Sequence, residues 1–317
     1  MHAQAVVFEQ PGQLALSRLD LTVPSPADVV VAIDYSGIST GTERLLWNGQ
    51  MPVFPGMGYP LVPGYESVGY VVEAGPDAKL AIGERVFVPG ARCFGDVRGL
   101  FGGAASQLVV PAARVVPIAE RLGANAVLLA LAATAYHAVA GGGKLATIEP
   151  PELIVGHGVL GRLLARLTVA AGLPAPTVWE LDERRSAGAH GYTVLRPDDD
   201  PRRDYRTVYD VSGDSALLDR LIQRVAPGGE IVLAGFYQQR LGFDFAPAFM
   251  KEVRLRVAAE WQRADMTAVT TLLADGRLSL DGLITHTEAA EHADGAYRCA
   301  FGDAACLKMV LDWRACA

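Results

Sequence analysis

The first third of the chain alternates apolar and polar residues in short runs that glycine and proline separate. Examples are "QAVVFEQ", "DVVVAIDYS", "VGYVVEAG" and "ASQLVVPA", and the pattern continues to about Ile118. A period of two is typical of strands with one buried face, and closely spaced turn residues favour a small barrel or sandwich. We therefore predict a β-rich domain over residues 1–125.

The pattern changes from Glu152 onward, where six apolar runs are separated by helical or loop segments. These runs are "ELIVG", "TVWEL", "YTVLR", "RTVYDVS", "EIVLAGF" and "VRLRVAA". Apolar strands that alternate with helices indicate a doubly wound parallel sheet, which we place in residues 126–262. A helix and a last strand, "CLKMVLDW", follow, and we predict that residues 263–317 return to the first domain. The predicted fold class is α/β.

The charge balance indicates which partners the protein can bind, and the cysteines indicate its cellular compartment. With 35 acidic and 28 basic residues, the chain has no general attraction to nucleic acid or to an anionic membrane. Its four cysteines form no C-x-x-C pair and no tract with histidine at zinc spacing, which is typical of reduced cytosolic thiols. The N-terminus lacks a secretory pattern, so we predict a cytoplasmic protein.

One apolar stretch, residues 126–141, is a candidate for a membrane helix. It is short for a membrane span, and Thr134, Tyr136 and His137 interrupt it. We therefore predict a buried helix and no stable membrane insertion.

The run "ELIVGHGVLGRLLARL" has the pattern of a dinucleotide-binding turn, because Gly156, Gly158 and Gly161 lie between a buried strand and a helix. The first glycine permits a tight turn, the second lets the backbone approach a pyrophosphate, and the third lets the helix pack on the strand. Glu180 ends the next strand, 24 residues beyond Gly156, where a carboxylate accepts hydrogen bonds from ribose hydroxyls. That carboxylate repels a 2′-phosphate, so we predict NAD as the cofactor, although the arginines that follow soften the preference.

The β-rich first domain, the dinucleotide sheet and the return segment together resemble the medium-chain dehydrogenase/reductase superfamily. The resemblance covers nearly the whole chain and implies a GroES-like catalytic domain, a Rossmann domain and a homodimer. In that superfamily a "GIC" loop and a "GHE" segment supply catalytic zinc ligands, and the matching segments here read "GIST" and "GYES". Ser39 and Tyr65 replace two ligands, and Ala130 falls at the third position. Only Cys93 occurs where the structural zinc lobe would lie, so we expect no metal.

The resemblance also assigns cofactor contacts outside the three glycines. Thr134 matches a position that faces the nicotinamide, and Arg185 matches a basic residue near the adenosine ribose. Val159 and Leu160 of the glycine-rich turn, and Ser212 after the fourth strand of the sheet, complete the predicted set. The resemblance therefore implies an NAD-dependent alcohol dehydrogenase.

Without zinc, oxidation of an alcohol needs a positioned group to take the hydroxyl proton, an effect worth about 10²–10⁴ in rate. Tyr65 and Glu66 are the two candidates; the alternative is that Tyr65 packs while Glu66 braces the loop through a salt bridge. In strand geometry only one of these neighbours would face the substrate. We predict that Ser39, Thr40 and Thr42 orient the substrate. His137 is a further candidate for the base, or else a hydrogen-bonded core residue.

Four segments together look most like superfamily members that oxidise a 3-(1-hydroxyethyl) group of a tetrapyrrole to 3-acetyl. They are "SGISTGTERLLWNG", "PGYESVGYVVEAG", "VGHGVLGRLLARL" and "VYDVSGD". A flat apolar ring system needs apolar walls, and core or dimer packing is the alternative use of the residues that we assign to them. One predicted wall comprises Trp47, Met51, Phe54, Met57 and Tyr59, and the other comprises Phe236, Tyr237, Phe243, Phe245, Phe249 and Met250.

Two other functions stay open on the sequence. A zinc-free quinone or enoyl reductase of the same superfamily would commonly use NADPH, which Glu180 disfavours. A non-catalytic NAD-binding redox sensor or pigment carrier also stays open, because the residues do not identify the catalytic base.

Overall fold

The computed structural model describes residues 1–53, 55–140 and 149–316. The chain divides into two compact units: unit 1 comprises residues 1–130 and 283–317, and unit 2 comprises residues 131–282. The sequence predicts boundaries at 125/126 and 262/263, whereas the structure divides the chain at 130/131 and 282/283.

The elements are numbered in chain order. The strands are β1 His2–Gln10, β2 Gln13–Asp20, β3 Asp28–Ile38, β4 Leu61–Val62, β5 Ser67–Ala74, β6 Arg85–Val88, β7 Arg98–Gly99, β8 Gln107–Pro111, β9 Val116–Pro117, β10 Leu153–Val155, β11 Thr177–Trp179, β12 Thr193–Leu195, β13 Tyr205–Asp210, β14 Val225–Leu233, β15 Arg254–Val257, β16 His286–Ala289 and β17 Met309–Asp312. The α-helices are α1 Thr42–Trp47, α2 Leu129–Ala140, α3 Val159–Ala170, α4 Glu183–Ser186, α5 Leu218–Arg224, α6 Phe245–Met250, α7 Arg263–Ala274 and α8 Ala293–Gly302.

Unit 1 is built from two sheets. A four-stranded sheet has the order β2-β1-β4-β7, and a seven-stranded sheet has the order β16-β17-β3-β5-β6-β9 with β8 paired to β3. The central strand β3 is antiparallel to β5, β8 and β17. It ends at Ile38, directly before the polar loop that begins with Ser39. Since Met309 of β17 pairs with Ile38, the last strand brings Lys308 beside that loop.

Unit 2 contains a six-stranded sheet with the order β12-β11-β10-β13-β14-β15, and all its pairings are parallel. The order reverses beside β10, the point at which open α/β sheets bind ligands beyond the carboxyl ends of their strands. Val155 of β10 is in register with Trp179 of β11 and with Asp210 of β13. The residues that follow these three strands therefore share one edge of the sheet.

One helical stretch, Glu120–Ala140, satisfies the length and composition of a membrane span, with a mean hydropathy of 1.5. In this fold 56% of its most apolar part is buried. The predicted buried helix is thus present.

Candidate active site

The glycine-rich turn follows β10 and opens α3. Gly156 has φ +104°, a left-handed conformation that a side chain would strain. Gly161 lies in the first turn of α3, where a Cβ would come within 1.9 Å of the Gly156 carbonyl oxygen. Between them, Gly158 precedes the helix and Val159 begins it, with Leu160 next. The first amide groups of α3 have no partner within the helix, so the turn has the chemistry of an anion cradle.

Backbone amides hold the Glu180 carboxylate beside this turn. Its Oε2 accepts a hydrogen bond from the amide of His157 at 3.0 Å. Its Oε1 accepts from the amides of Leu181 at 2.8 Å and Asp182 at 2.9 Å. The predicted ribose acceptor therefore has a fixed position at the edge where β10 and β11 end.

His157 and Arg162 brace the same turn, a role that the sequence interpretation missed. His157 is fully buried; its Nδ1 lies 2.6 Å from the Arg185 carbonyl oxygen and its Nε2 lies 2.8 Å from the Tyr192 hydroxyl. Arg162, on α3, donates to the carbonyl oxygens of His157 at 3.0 Å and of Arg185 and Ala187, each at 2.8 Å. Burial, with Arg162 adding to it, lowers the pKa of His157 to about 4, so the imidazole is neutral. The only signal in the sequence was a polar residue between two glycines.

The other predicted cofactor residues of unit 2 lie on α2 and after β13. Ser212 donates from its amide and its hydroxyl to Oδ1 of Asp210, at 2.9 and 2.6 Å. The Ser212 backbone borders the turn, because a Cβ on Gly156 would lie 3.3 Å from the Ser212 Cα. Thr134 is partly exposed on α2, and the Arg185 side chain is partly exposed after β11.

His137 is paired with an acid inside unit 2. Its Nδ1 lies 2.8 Å from Oδ2 of Asp265, and both side chains are buried. Asp265 also accepts from the Gln262 amide at 2.7 Å as part of the capping box that opens α7. The structure therefore places His137 as a hydrogen-bonded core residue. This was the alternative to its being the catalytic base.

In unit 1 the hydroxyls of Ser39 and Tyr65, which match two zinc-ligand positions of the superfamily, form a pair. Ser39 Oγ lies 2.7 Å from the Tyr65 hydroxyl, and Tyr65 is partly exposed with its ring perpendicular to that of Phe101, the ring centroids 5.5 Å apart. Burial of the hydroxyl, with the nearby Glu66 charge, raises the pKa of Tyr65 above its usual range. Thr40 follows Ser39 and is partly exposed, whereas Ala130 is buried. The pair presents neutral hydroxyls that can bind an alcohol.

Glu66 faces a different environment from its neighbour. It is fully buried, and its Oε2 accepts a hydrogen bond from Lys308 Nζ at 2.7 Å. Lys308 also donates to the Ile38 carbonyl oxygen at 3.1 Å, whereas Glu66 Oε1 has no hydrogen-bond partner among the described residues. Burial raises the pKa of Glu66 and Lys308 opposes the shift. Glu66 thus forms the salt bridge that was the alternative to a catalytic role. The single lysine in the apolar run "CLKMVLDW" is the sequence feature that could have indicated this pair.

A second buried acid, Glu43, was not predicted. It lies on α1, fully buried, where Oε1 accepts from the Ser39 amide at 3.0 Å and Oε2 accepts from the Tyr297 hydroxyl at 2.8 Å. Burial, with a smaller contribution from Glu66, raises the pKa of Glu43 to about 7. Glu43 thus fixes the backbone of the residue that carries the Ser39 hydroxyl.

This raised pKa predicts a pH-dependent stability. The folded protein keeps the Glu43 proton up to about pH 7, while the unfolded chain releases it near 4.5, so the folded state binds more protons between these values. The contribution to stability is therefore complete below the unfolded pKa and is lost as the pH rises through the window. At about 1.4 kcal/mol per unit, the loss is roughly 3 kcal/mol.

Glu43→Gln isolates this effect, because its amide oxygen can accept from the Ser39 amide while its NH2 group donates to the Tyr297 hydroxyl, as the O–H of the protonated acid would. We expect urea unfolding at pH 5 and pH 8 to show a fall in stability for the unmodified protein that is about 2.5 kcal/mol larger than for Glu43→Gln. Equal pH dependence of the two proteins would contradict the assignment.

The structure separates the residues of the predicted apolar walls. In the first wall, Met51 is buried in the core of unit 1, and Trp47, Met57 and Tyr59 pack against that core; Phe54 lies outside the described residues. In the second wall, Phe243, Phe245, Phe249 and Met250 line a groove of about 510 Å³.

The groove in unit 2 also includes Pro227, Glu252 and Val253, next to the amino ends of β14 and β15. It thus borders the edge of the sheet opposite the glycine-rich turn. Phe236, after β14, is half exposed on the same edge as that turn, and Tyr237 donates its hydroxyl to the Asp210 carbonyl oxygen at 3.2 Å. Of the second wall, only Phe236 and Tyr237 lie on the cofactor edge.

Comparison with known proteins defines the class. Residues 25–120 match the alcohol dehydrogenase GroES-like domain family. An alcohol dehydrogenase from Escherichia coli, solved in complex with NADH, has the same fold, with a TM-score of 0.81, 22% identity and coverage of 98% of this chain and 99% of that one. The predicted α/β fold, a GroES-like domain with a Rossmann domain, is confirmed, and the protein is an enzyme of the alcohol dehydrogenase type.

Two relatives narrow the family. The chain is 57% identical, over all of both chains, to the 2-desacetyl-2-hydroxyethyl bacteriochlorophyllide A dehydrogenase of Cereibacter sphaeroides. It is 56% identical to the protein of the same name from Rhodobacter capsulatus, over 99% of each chain. The chain therefore belongs to the bacteriochlorophyllide dehydrogenase family within the medium-chain dehydrogenase/reductase superfamily, as the sequence resemblance implied.

Proposed function

We propose that this enzyme oxidises the hydroxyethyl substituent of a bacteriochlorophyllide to an acetyl group and passes the hydride to NAD. The observation that carries the proposal is the 57% identity over the full length of a relative named for that substrate. A Ser39–Tyr65 hydroxyl pair in place of metal ligands supports the same chemistry.

The glycine-rich turn fits a nicotinamide dinucleotide. A side chain at Gly161 would meet the Gly156 carbonyl oxygen at 1.9 Å, so backbone alone forms the cradle, and its amides would hold the pyrophosphate. Glu180 would accept hydrogen bonds from the adenosine ribose, and Arg185, Ser212 and Thr134 are the further proposed contacts. The bound nicotinamide supplies the hydride acceptor.

The hydroxyl pair would bind the substrate alcohol. With its pKa raised, Tyr65 is a neutral phenol at working pH, so it hydrogen-bonds the substrate hydroxyl together with Ser39, and the proton that the alcohol loses passes through these two hydroxyls to water. Thr40, next in the loop, is the further proposed orienting hydroxyl. A carbinol beside a conjugated macrocycle delocalises the charge that develops as hydride leaves.

We also propose that this step uses no catalytic zinc. The three superfamily ligand positions carry Ser39, Tyr65 and the buried Ala130, and none offers the thiolate or imidazole that catalytic zinc prefers. Glu66 is committed to Lys308. The protein therefore lacks a strong donor set at these positions.

A turnover assay tests the function. The full-length protein is incubated with NAD⁺ and a hydroxyethyl bacteriochlorin while NADH and the long-wavelength absorption of the pigment are followed together. We expect both to change in proportion. Reduction of a quinone or enone with NADPH would favour the reductase alternative, and pigment or NAD binding without turnover would favour the sensor or carrier.

Cofactor choice should follow Glu180. We expect NAD⁺ to bind more tightly than NADP⁺, and Glu180→Ala to narrow or reverse the difference, with about 10-fold weaker NAD⁺ binding from the lost ribose hydrogen bonds. Isothermal titration with both cofactors measures this. Glu183→Ala, an exposed acid on α4, is the matched control. Equal affinities in the unmodified protein would refute NAD selectivity.

The homodimer remains a proposal that rests on the resemblance, and the cytoplasmic location remains a proposal that rests on the cysteine pattern and the N-terminal sequence. For the substrate, we propose that Phe236 flanks the tetrapyrrole, because it is 51% exposed on the cofactor edge of unit 2. The groove in unit 2 borders the opposite edge of the sheet, so we do not assign it to the substrate.

A further inference from the structure

Three side chains of unit 1 with metal-binding groups converge away from the hydroxyl pair. One ligand atom from each of His286, Cys299 and Asp303 lies within 4.8 Å of the other two. His286 and Cys299 are partly exposed, and Asp303 is exposed, so an ion from solution can reach them. None of these residues has a role in the proposed reaction.

The fold brings the three together from two elements. Cys299 and Asp303 are four residues apart at the end of α8, and the Asp303 amide donates to the Cys299 carbonyl oxygen at 2.9 Å. Residues with this spacing share one face of a helix. His286 begins β16, which is parallel to β17. The sequence showed no metal-binding spacing, because the histidine and the cysteine are distant in the chain.

The donor set is that of zinc. A thiolate, an imidazole and a carboxylate are the ligands that zinc takes, whereas calcium and magnesium take oxygen ligands. Zinc bonds of about 2.0–2.3 Å place tetrahedral ligand atoms roughly 3.3–3.8 Å apart. The ligand atoms, which lie within 4.8 Å of one another, would therefore move closer by at most roughly 1.5 Å to bind the ion.

Neighbouring groups complete the surroundings of this cluster. The buried Cys306 thiol hydrogen-bonds to Cys299 from the side of the core. Thr285 Oγ1 lies 2.9 Å from Nδ1 of His286, and the Ala305 amide donates to Oδ1 of Asp303 at 2.8 Å. Partners of this kind orient ligands and raise metal affinity.

We propose that His286, Cys299 and Asp303 bind one zinc ion, with water as the fourth ligand, and that this ion fastens the C-terminal return segment. The amides of Thr285 and His286 both donate to the Lys308 carbonyl oxygen, at 3.1 and 3.2 Å. The ion would thus lie beside the residue that neutralises Glu66. This site is distinct from the positions of Ser39, Tyr65 and Ala130, and it departs from the expectation of a metal-free protein.

The test measures zinc on the full-length protein kept under a reductant. After chelation and desalting, a competition titration with a zinc indicator gives stoichiometry and affinity, and thermal unfolding is recorded with and without zinc. We expect one ion per chain and a higher unfolding midpoint with zinc. Cys299→Ser and His286→Gln should each weaken binding by at least about 100-fold and abolish the thermal shift.

Matched controls keep the result specific. Cys316→Ser and His292→Gln change a partly exposed cysteine and an exposed histidine of the same unit outside the cluster, and should bind zinc as the unmodified protein does. Asp303→Asn, at an exposed position, serves if a cysteine or histidine variant fails to fold. The proposal is overturned if the reduced protein binds no zinc, or if the cluster variants bind it unchanged while Ser39→Ala or Tyr65→Phe loses it.

Discussion

Tyr65→Phe should lower the turnover rate with a hydroxyethyl bacteriochlorin by about 10²-fold or more while NAD⁺ binding stays unchanged. The variant keeps the ring that lies 5.5 Å from Phe101 and removes only the hydroxyl that lies 2.7 Å from Ser39 Oγ. Loss of a group that acts on the reacting alcohol should reduce kcat and kcat/KM together. Steady-state kinetics and a cofactor titration measure the two effects.

The matched control is Tyr70→Phe in the same unit. The Tyr70 hydroxyl donates a hydrogen bond to Glu120 at 2.9 Å and accepts one from Arg85 at 2.7 Å, and it is not part of the hydroxyl pair. We expect its turnover to stay near that of the unmodified protein. Normal turnover by both Tyr65→Phe and Glu66→Gln would place the base elsewhere, and His137 would then be tested by replacement with Gln.

The different roles of Tyr65 and Glu66 could be predicted from the sequence, because neighbouring side chains of an extended segment point in opposite directions. Tyr65 and Glu66 directly precede β5, and neighbours in a strand point to opposite faces. The structure gives them opposite environments: one is partly exposed beside Ser39, and the other is fully buried beside Lys308. A local rule was enough to predict that the two residues differ.

The dinucleotide turn was equally accessible from sequence, because its requirements are local. Gly156 and Gly161 are needed within one strand-turn-helix segment, and Glu180 directly follows β11, the strand that pairs with β10. Periodicity also predicted all six strands of the parallel sheet.

Contacts between distant segments could not be predicted in this way. Lys308 meets Glu66 across 242 positions of the chain, and Tyr297 meets Glu43 across 254. No spacing rule relates such residues, since their pairing depends on β17 joining β3 in one register. The apolar walls were misassigned in part for the same reason: composition identified Trp47 and Met51 as apolar, but only the packing shows that they belong with the core.

Removing one member of the buried Glu66–Lys308 pair should destabilise unit 1 strongly. Lys308→Met removes the cation and leaves the fully buried Glu66 carboxylate without it, so we expect a loss of about 3–5 kcal/mol in the free energy of unfolding. Glu66→Gln combined with Lys308→Met removes both charges at similar volume and should recover most of that loss. Urea unfolding of the two single variants and the double variant gives the coupling energy.

The pH dependence of the stability of Lys308→Met is a second test of this ion pair. Without Lys308, burial raises the Glu66 pKa further, so the folded variant binds a proton that the unfolded chain releases near its ordinary pKa. The stability deficit of Lys308→Met should therefore shrink as the pH falls and grow toward neutral pH. Lys79→Met, at an exposed lysine, should change stability by no more than about 0.5 kcal/mol. A Lys308→Met deficit below about 1 kcal/mol at neutral pH would show that Glu66 is not an uncompensated buried charge, and Glu66 would return as a candidate base.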